Sequence, residues 1–125
     1  MTFKKVNLNP TGKNVGDCVI RAIMRAEKNS WQKTFMELCR IGHDIYQMPN
    51  SKDVYRKYLN EKGWSKMPMP RFENRKRYTV RDFINEFNKG IYIIEVARHL
   101  TIVEDGVLID SWDCSYKCVG NYFKK

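Results

Sequence analysis

Cys18, His99 and Asp110 lie far apart in this sequence, and they are the three residue types that form a nucleophilic relay. A thiolate attacks a carbonyl carbon, an imidazole takes and returns the proton, and a carboxylate orients the imidazole. One local feature brings two of them together. Asp105-Gly106 is a two-residue hairpin signal between the alternating segment His99 to Glu104 and the returning segment Val107 to Asp110. With that turn, Glu104 faces Val107, Thr101 faces Asp110, and His99 faces Trp112. His99 and Asp110 then share a face as diagonal neighbours, about 7–8 Å apart at the backbone and within reach of a carboxylate–imidazole hydrogen bond. A one-residue slip would put them on opposite faces.

Cys18 needs a different element. Asn14-Val15-Gly16-Asp17 reads as a turn before a helix from Cys18 to Ala26, with Asp17 as its N-cap. A cysteine in the first helical turn is exposed to the positive end of the helix dipole, which favours the thiolate.

The rest of the chain supplies the scaffold. Ser30 caps a second helix, with Trp31, Phe35, Leu38, Cys39, Gly42 and Ile45 on one stripe. A third helix starts near Asn50-Ser51, carries Val54, Tyr55, Tyr58 and Leu59 on one side, and stops at Gly63. Thr79 opens a fourth, with Val80, Phe83, Ile84 and Phe87 in helical register before Gly90. Ser65 to Arg77 holds Pro68, Pro70 and a basic cluster (Arg71, Arg75, Lys76 and Arg77), and reads as a loop that is a candidate partner-binding segment. From Ile91 the period becomes two: Ile91 to Ala97, the hairpin strands, and a last strand over Val119 to Phe123. The expected class is α+β, with helices first and an antiparallel sheet at the C-terminal end.

At 125 residues the chain is the size of one domain, residues 1–125, able to bury roughly two-thirds of its unfolded surface. Its 42% hydrophobic content is globular, which excludes a disordered chain. No apolar run reaches membrane-span length and the N-terminus lacks a secretory h-region, so a soluble, cytoplasmic protein away from membranes is expected. The formal charge of +9 suits an acidic partner, with an acidic protein or peptide favoured over nucleic acid. Four cysteines in a chain with a sufficient core are expected as reduced thiols.

Gly16-Asp17-Cys18-Val19-Ile20-Arg21-Ala22 resembles the cysteine-bearing helix start of papain-like peptidases. Ala97-Arg98-His99 and Asp110-Ser111-Trp112 resemble that superfamily's later histidine strand and Asn/Asp-Ser-Trp segment, and the order Cys, His, Asp is the same. The combined pattern is similar to small uncharacterised cysteine-peptidase-like proteins of phages and bacteria, which implies a host-cytoplasmic location if the chain is phage-encoded. The resemblance covers both ends of the chain; residues 30–78 match only in being helical. It implies a papain-like fold and a thiol hydrolase acting on a peptide, isopeptide or other amide bond, without a cofactor. Papain-like enzymes place a glutamine shortly before the cysteine to stabilise the oxyanion. This chain has none there, and Asn14 is the amide placed to substitute, together with the Cys18 N–H. Asp110 stands where asparagine is usual. Trp112 would shield the His–Asp hydrogen bond from water.

Other readings compete. Cys39 belongs to an apolar stripe and reads as structural. Cys39-x3-His43 and Cys114-x3-Cys118 together offer four zinc-type donors, but the spacing is not the usual Cys-x2-Cys, and no metal is expected. The competing function class is a non-enzymatic interaction protein of phage or bacterial type, binding a host protein or nucleic acid through its basic surface.

Overall fold

The period-two segments become the centre of a six-stranded sheet in a computed structural model of the chain, which describes residues 2–125. The elements run β1 (Phe3–Lys5), α1 (Cys18–Glu27), α2 (Trp31–Ile45), α3 (Lys52–Glu61), β2 (Ser65–Met67), α4 (Val80–Glu86), β3 (Ile91–Val96), β4 (His99–Glu104), β5 (Val107–Asp110) and β6 (Tyr122–Lys124). The strand order is β1-β5-β4-β3-β6-β2. The class is α+β, as the sequence predicts.

Alternation along the central strands sends side chains to two cores. Ile93, Leu100, Ile102 and Ile109 pack with α1, α2 and α3 through Ile23, Leu38, Val54 and Leu59. Ile94, Val103 and Leu108 pack on the other face with Val80, Phe83 and Ile84 of α4. Each fully buried aliphatic side chain contributes about 1.5–3 kcal/mol of transfer free energy. The sheet is therefore sandwiched, with three helices on one face and one on the other.

The strand content departs from expectation in two places. The sheet is mixed rather than antiparallel, because β1 runs parallel to β5 with Lys5 beside Asp110. A three-residue edge strand can be recruited by pairing alone, without a periodicity of its own. Likewise, the segment expected to be a loop over Ser65 to Arg77 begins as β2, antiparallel to β6 at the other sheet edge. An edge strand needs only one bonded side, tolerates the exposed Lys66, and is stopped by Pro68.

Caps follow the sequence at α2, α3 and α4. Ser30, Ser51 and Thr79 each accept a first-turn N–H, and Thr79 with Asp82 forms a capping box. Asp17 does not behave as expected: it occupies the N-cap position of α1 but makes no side-chain cap. Its backbone (φ −97°, ψ 30°) is not in the extended conformation a capping residue adopts, and its carboxylate is committed elsewhere. No described helix is long and apolar enough to cross a membrane.

Candidate active site

The β4–β5 hairpin has the register that the Asp-Gly turn dictates: Glu104 pairs with Val107, Val103 with Leu108, and Ile102 with Ile109. Asp105 (φ 48°) and Gly106 (φ 76°) both lie in the left-handed region, the signature of a type I′ turn whose twist matches the flanking strands. One rung beyond the last of these pairs, Thr101 donates its hydroxyl to Asp110 Oδ2 at 2.6 Å. His99 Nε2 meets the same oxygen at 2.6 Å. The other carboxylate oxygen, Oδ1, accepts from the Ser111 N–H at 2.7 Å and lies 3.4 Å from Arg21 Nη1. Asp110 is buried and held on both oxygens, which fixes the imidazole it carries.

Cys18 opens α1, and it lines the same two openings as the His99 ring. Asp17 makes no cap, so the first-turn N–H groups keep their positive potential for the thiol and its surroundings. Burial pushes the Cys18 thiol up. The neighbouring His99 ring, the Leu100 backbone, and the charges of His99 and Arg21 outweigh that, and its pKa falls below the ordinary thiol value. Burial likewise disfavours charged His99, yet the Asp110 hydrogen bond and the neighbouring Cys114 and Cys18 sulfurs raise its pKa to about 11. Burial raises Asp110, and the bonds from His99 and Thr101 more than reverse it, leaving the acid below its ordinary value. All three directions favour a thiolate–imidazolium pair backed by a carboxylate.

A second network ties the helix start to this pair. Arg21 Nε donates to Asp17 Oδ1 at 2.9 Å, and its Nη1 donates to Ser111 Oγ at 3.0 Å. Asp17 Oδ2 accepts from Asn9 Nδ2 (3.0 Å) and from Trp31 Nε1 of α2 (2.8 Å). The carboxylate expected as a cap instead joins the N-terminal loop, α1 and α2.

Two openings flank Cys18 and His99. A cavity of about 200 Å³ is bounded by Tyr55, Val96, Leu100 and Arg98, and a wider groove of about 720 Å³ by Lys5, Lys13, Asn14 and Trp112. Asn14, the predicted oxyanion residue, is exposed on the wall of the same groove that Cys18 lines. Asn50 borders both openings and offers a second amide. The Trp112 indole lies 5.3 Å from the His99 ring, centroid to centroid, and is 37% exposed. It covers the ring from beyond the end of β5 rather than as a cross-strand partner. The basic residues Arg71, Arg75, Lys76 and Arg77 are exposed but border neither opening. Arg71 is turned back onto the Arg75 carbonyl, and Arg77 onto that of Val119.

Several site residues carry no sequence signal of their own. Cys114 is fully buried, and its sulfur lies with donor atoms of His99 and Asp110 inside a 4.8 Å cluster. The zinc grouping weighed from spacing is not assembled, since Cys114 joins His99 and Asp110 rather than Cys39 and His43. Those three are the described residues whose donors are grouped closely enough to hold a cation. The short His99–Asp110 hydrogen bond engages two of the three donors with each other. Thr101 and Arg21 were discoverable: Thr101 faces Asp110 in the hairpin register, and Arg21 lies one helical turn from Asp17. Nothing local marks Cys114 or Asn50. All four cysteines are free.

Comparison of the chain with family models, with curated proteins and with solved structures returns no match.

Proposed function

We propose that the chain is a cysteine-nucleophile hydrolase or acyltransferase acting on a peptide, isopeptide or other amide bond, on a papain-like arrangement. The observation that carries this reading is the His99 ring, bonded through Nε2 to buried Asp110 at 2.6 Å and lining the same two openings as Cys18 at the start of α1. The Cys18 thiolate attacks the carbonyl carbon and forms a C–S bond, and the carbonyl electrons move to oxygen. The Cys18 N–H and the amide of Asn14 or Asn50, which line the groove, are the candidates to hold that oxyanion. Collapse breaks the C–N bond as imidazolium His99 gives its proton to the leaving nitrogen. Neutral His99 then takes a proton from water, or from an acceptor amine, as it attacks the thioester, and Cys18 leaves as thiolate.

Labelling with iodoacetamide from about pH 5 to about pH 9, read at Cys18 by peptide mass, tests the pair. Expected is labelling well below the ordinary thiol range, shifted upward in His99→Ala. A Cys18 that reacts only above about pH 8, with His99→Ala unchanged, would sink the enzyme reading in favour of a non-catalytic interaction protein.

A further inference from the structure

We infer that the groove beside Cys18 is a binding site for an acidic polypeptide, which rests on the amide-bond chemistry proposed above and names its substrate class. Besides Arg21, which is paired with Asp17, three cations reach this groove from three separate elements: Lys5 from β1, Lys13 from the loop before α1, and Arg98 from the β3–β4 turn. All three are exposed and none makes an ion pair among the described residues. The one acid bordering the groove, Asp17, is buried and already held by Arg21. Other cations of the chain are paired with acids, as in Arg25–Glu104, Arg56–Glu95 and Lys62–Glu37. The groove therefore presents a field of one sign at the mouth of the nucleophile, where low-dielectric walls focus it on an incoming ligand.

Arg98 adds an independent observation. It holds φ 57° in the two-residue turn between Val96 and His99, a conformation that glycine or asparagine adopts with less strain. Its long cationic side chain stands one residue before His99 and borders both openings beside Cys18. Carboxylates are the matching chemistry. A nucleic acid would satisfy the same charges, but it offers Cys18 no peptide or isopeptide bond to cleave.

The test measures fluorescence anisotropy of the Cys18→Ala protein, at low salt, with three labelled probes: a peptide alternating Glu and Ala, its Gln-for-Glu twin, and a short oligo-dT strand. The Glu peptide is expected to bind about tenfold tighter than the Gln twin, losing that margin as salt rises. Arg98→Gly and Lys13→Ser should each weaken it severalfold, whereas Arg75→Ser should leave it unchanged. Arg98→Gly also relaxes the turn, so its melting temperature should not fall, which separates lost charge from lost fold. Equal binding of the Glu and Gln peptides overturns the inference. So does tighter binding of oligo-dT than of the Glu peptide, or a loss with Arg75→Ser that Arg98→Gly does not reproduce. The iodoacetamide profile of the wild type is a separate readout. A normal thiol with intact Glu discrimination removes the chemistry and leaves the acidic-ligand site. An activated thiol with no discrimination removes only this inference.

Discussion

Thr101 and Asp110 face each other across the β4–β5 hairpin, and the threonine hydroxyl donates to the same carboxylate oxygen that His99 engages. Asp110 is thus oriented before it orients His99. Replacing Thr101 by Val keeps the β-branched shape and removes the donor. A hydrogen bond to a charged group contributes about 1.5–3 kcal/mol, of which only the part that steers the imidazole reaches Cys18. Cys18 labelling near neutral pH is expected to slow by roughly tenfold, with the fold retained by circular dichroism. An unchanged labelling rate would show that His99 alone fixes the carboxylate.

The ionisation of His99 predicts how stability varies with pH. Its folded pKa is raised above the unfolded 6.5, so its contribution is fully present below that value and fades as pH rises through the folded one. Cys18 has the opposite slope, because its folded pKa is lowered. The comparison is therefore Cys18→Ala against Cys18→Ala/His99→Ala in urea denaturation. The difference between them should be largest in mildly acidic buffer and shrink towards alkaline pH. Asp110, lowered below 3.8, sets the acid limit: its contribution is present above 3.8 and lost as pH falls through its folded value. A difference that grows with pH would contradict the assigned charge on His99.

Arg21 lies between two buried carboxylates, Asp17 and Asp110, and is itself 11% exposed. Arg21→Met retains much of the stem packing, leaves Asp17 without its cation and leaves Asp110 with His99 alone. Breaking a buried pair from one side is strongly destabilising, and some solvent access lowers the figure here to roughly 2–4 kcal/mol. Urea midpoints at neutral pH measure the loss. It should narrow on acidification, as the two carboxylates take up protons. A loss independent of pH would mean that Arg21 acts by packing alone.

Gly106 sets the hairpin register, and the register sets the site. At φ 76°, with Asn88 atoms 3.3 Å from where a Cβ would stand, Gly106→Ala is expected to cost roughly 1–2 kcal/mol. Thermal or urea unfolding reads this directly. The Cys18 labelling profile should persist in the fraction that folds, since the pairing from Glu104–Val107 to Ile102–Ile109 still selects one face.

What the sequence determined by itself was mostly local. Asp105-Gly106 forces a type I′ turn, and because side chains alternate along a strand, that turn alone put His99 and Asp110 on one face. Ser30, Ser51 and Thr79 capped their helices because each hydroxyl needs only an N–H two or three residues ahead. Asp17 had the same local signal, but the tertiary structure decided otherwise: Arg21, Asn9 and Trp31 offered its carboxylate three donors that a cap could not match. The edge strands β1 and β2 were illegible because three residues carry no period, and only an open sheet edge makes them strands. Cys114 and Asn50 reached the site for the same kind of reason. Their positions depend on how β5, α2 and α3 leave the sheet and the first core, and chain spacing does not encode that closure. Cys18 lies between the two cases: its place at a helix start was local, while its contact with His99 required α1 to pack against β4.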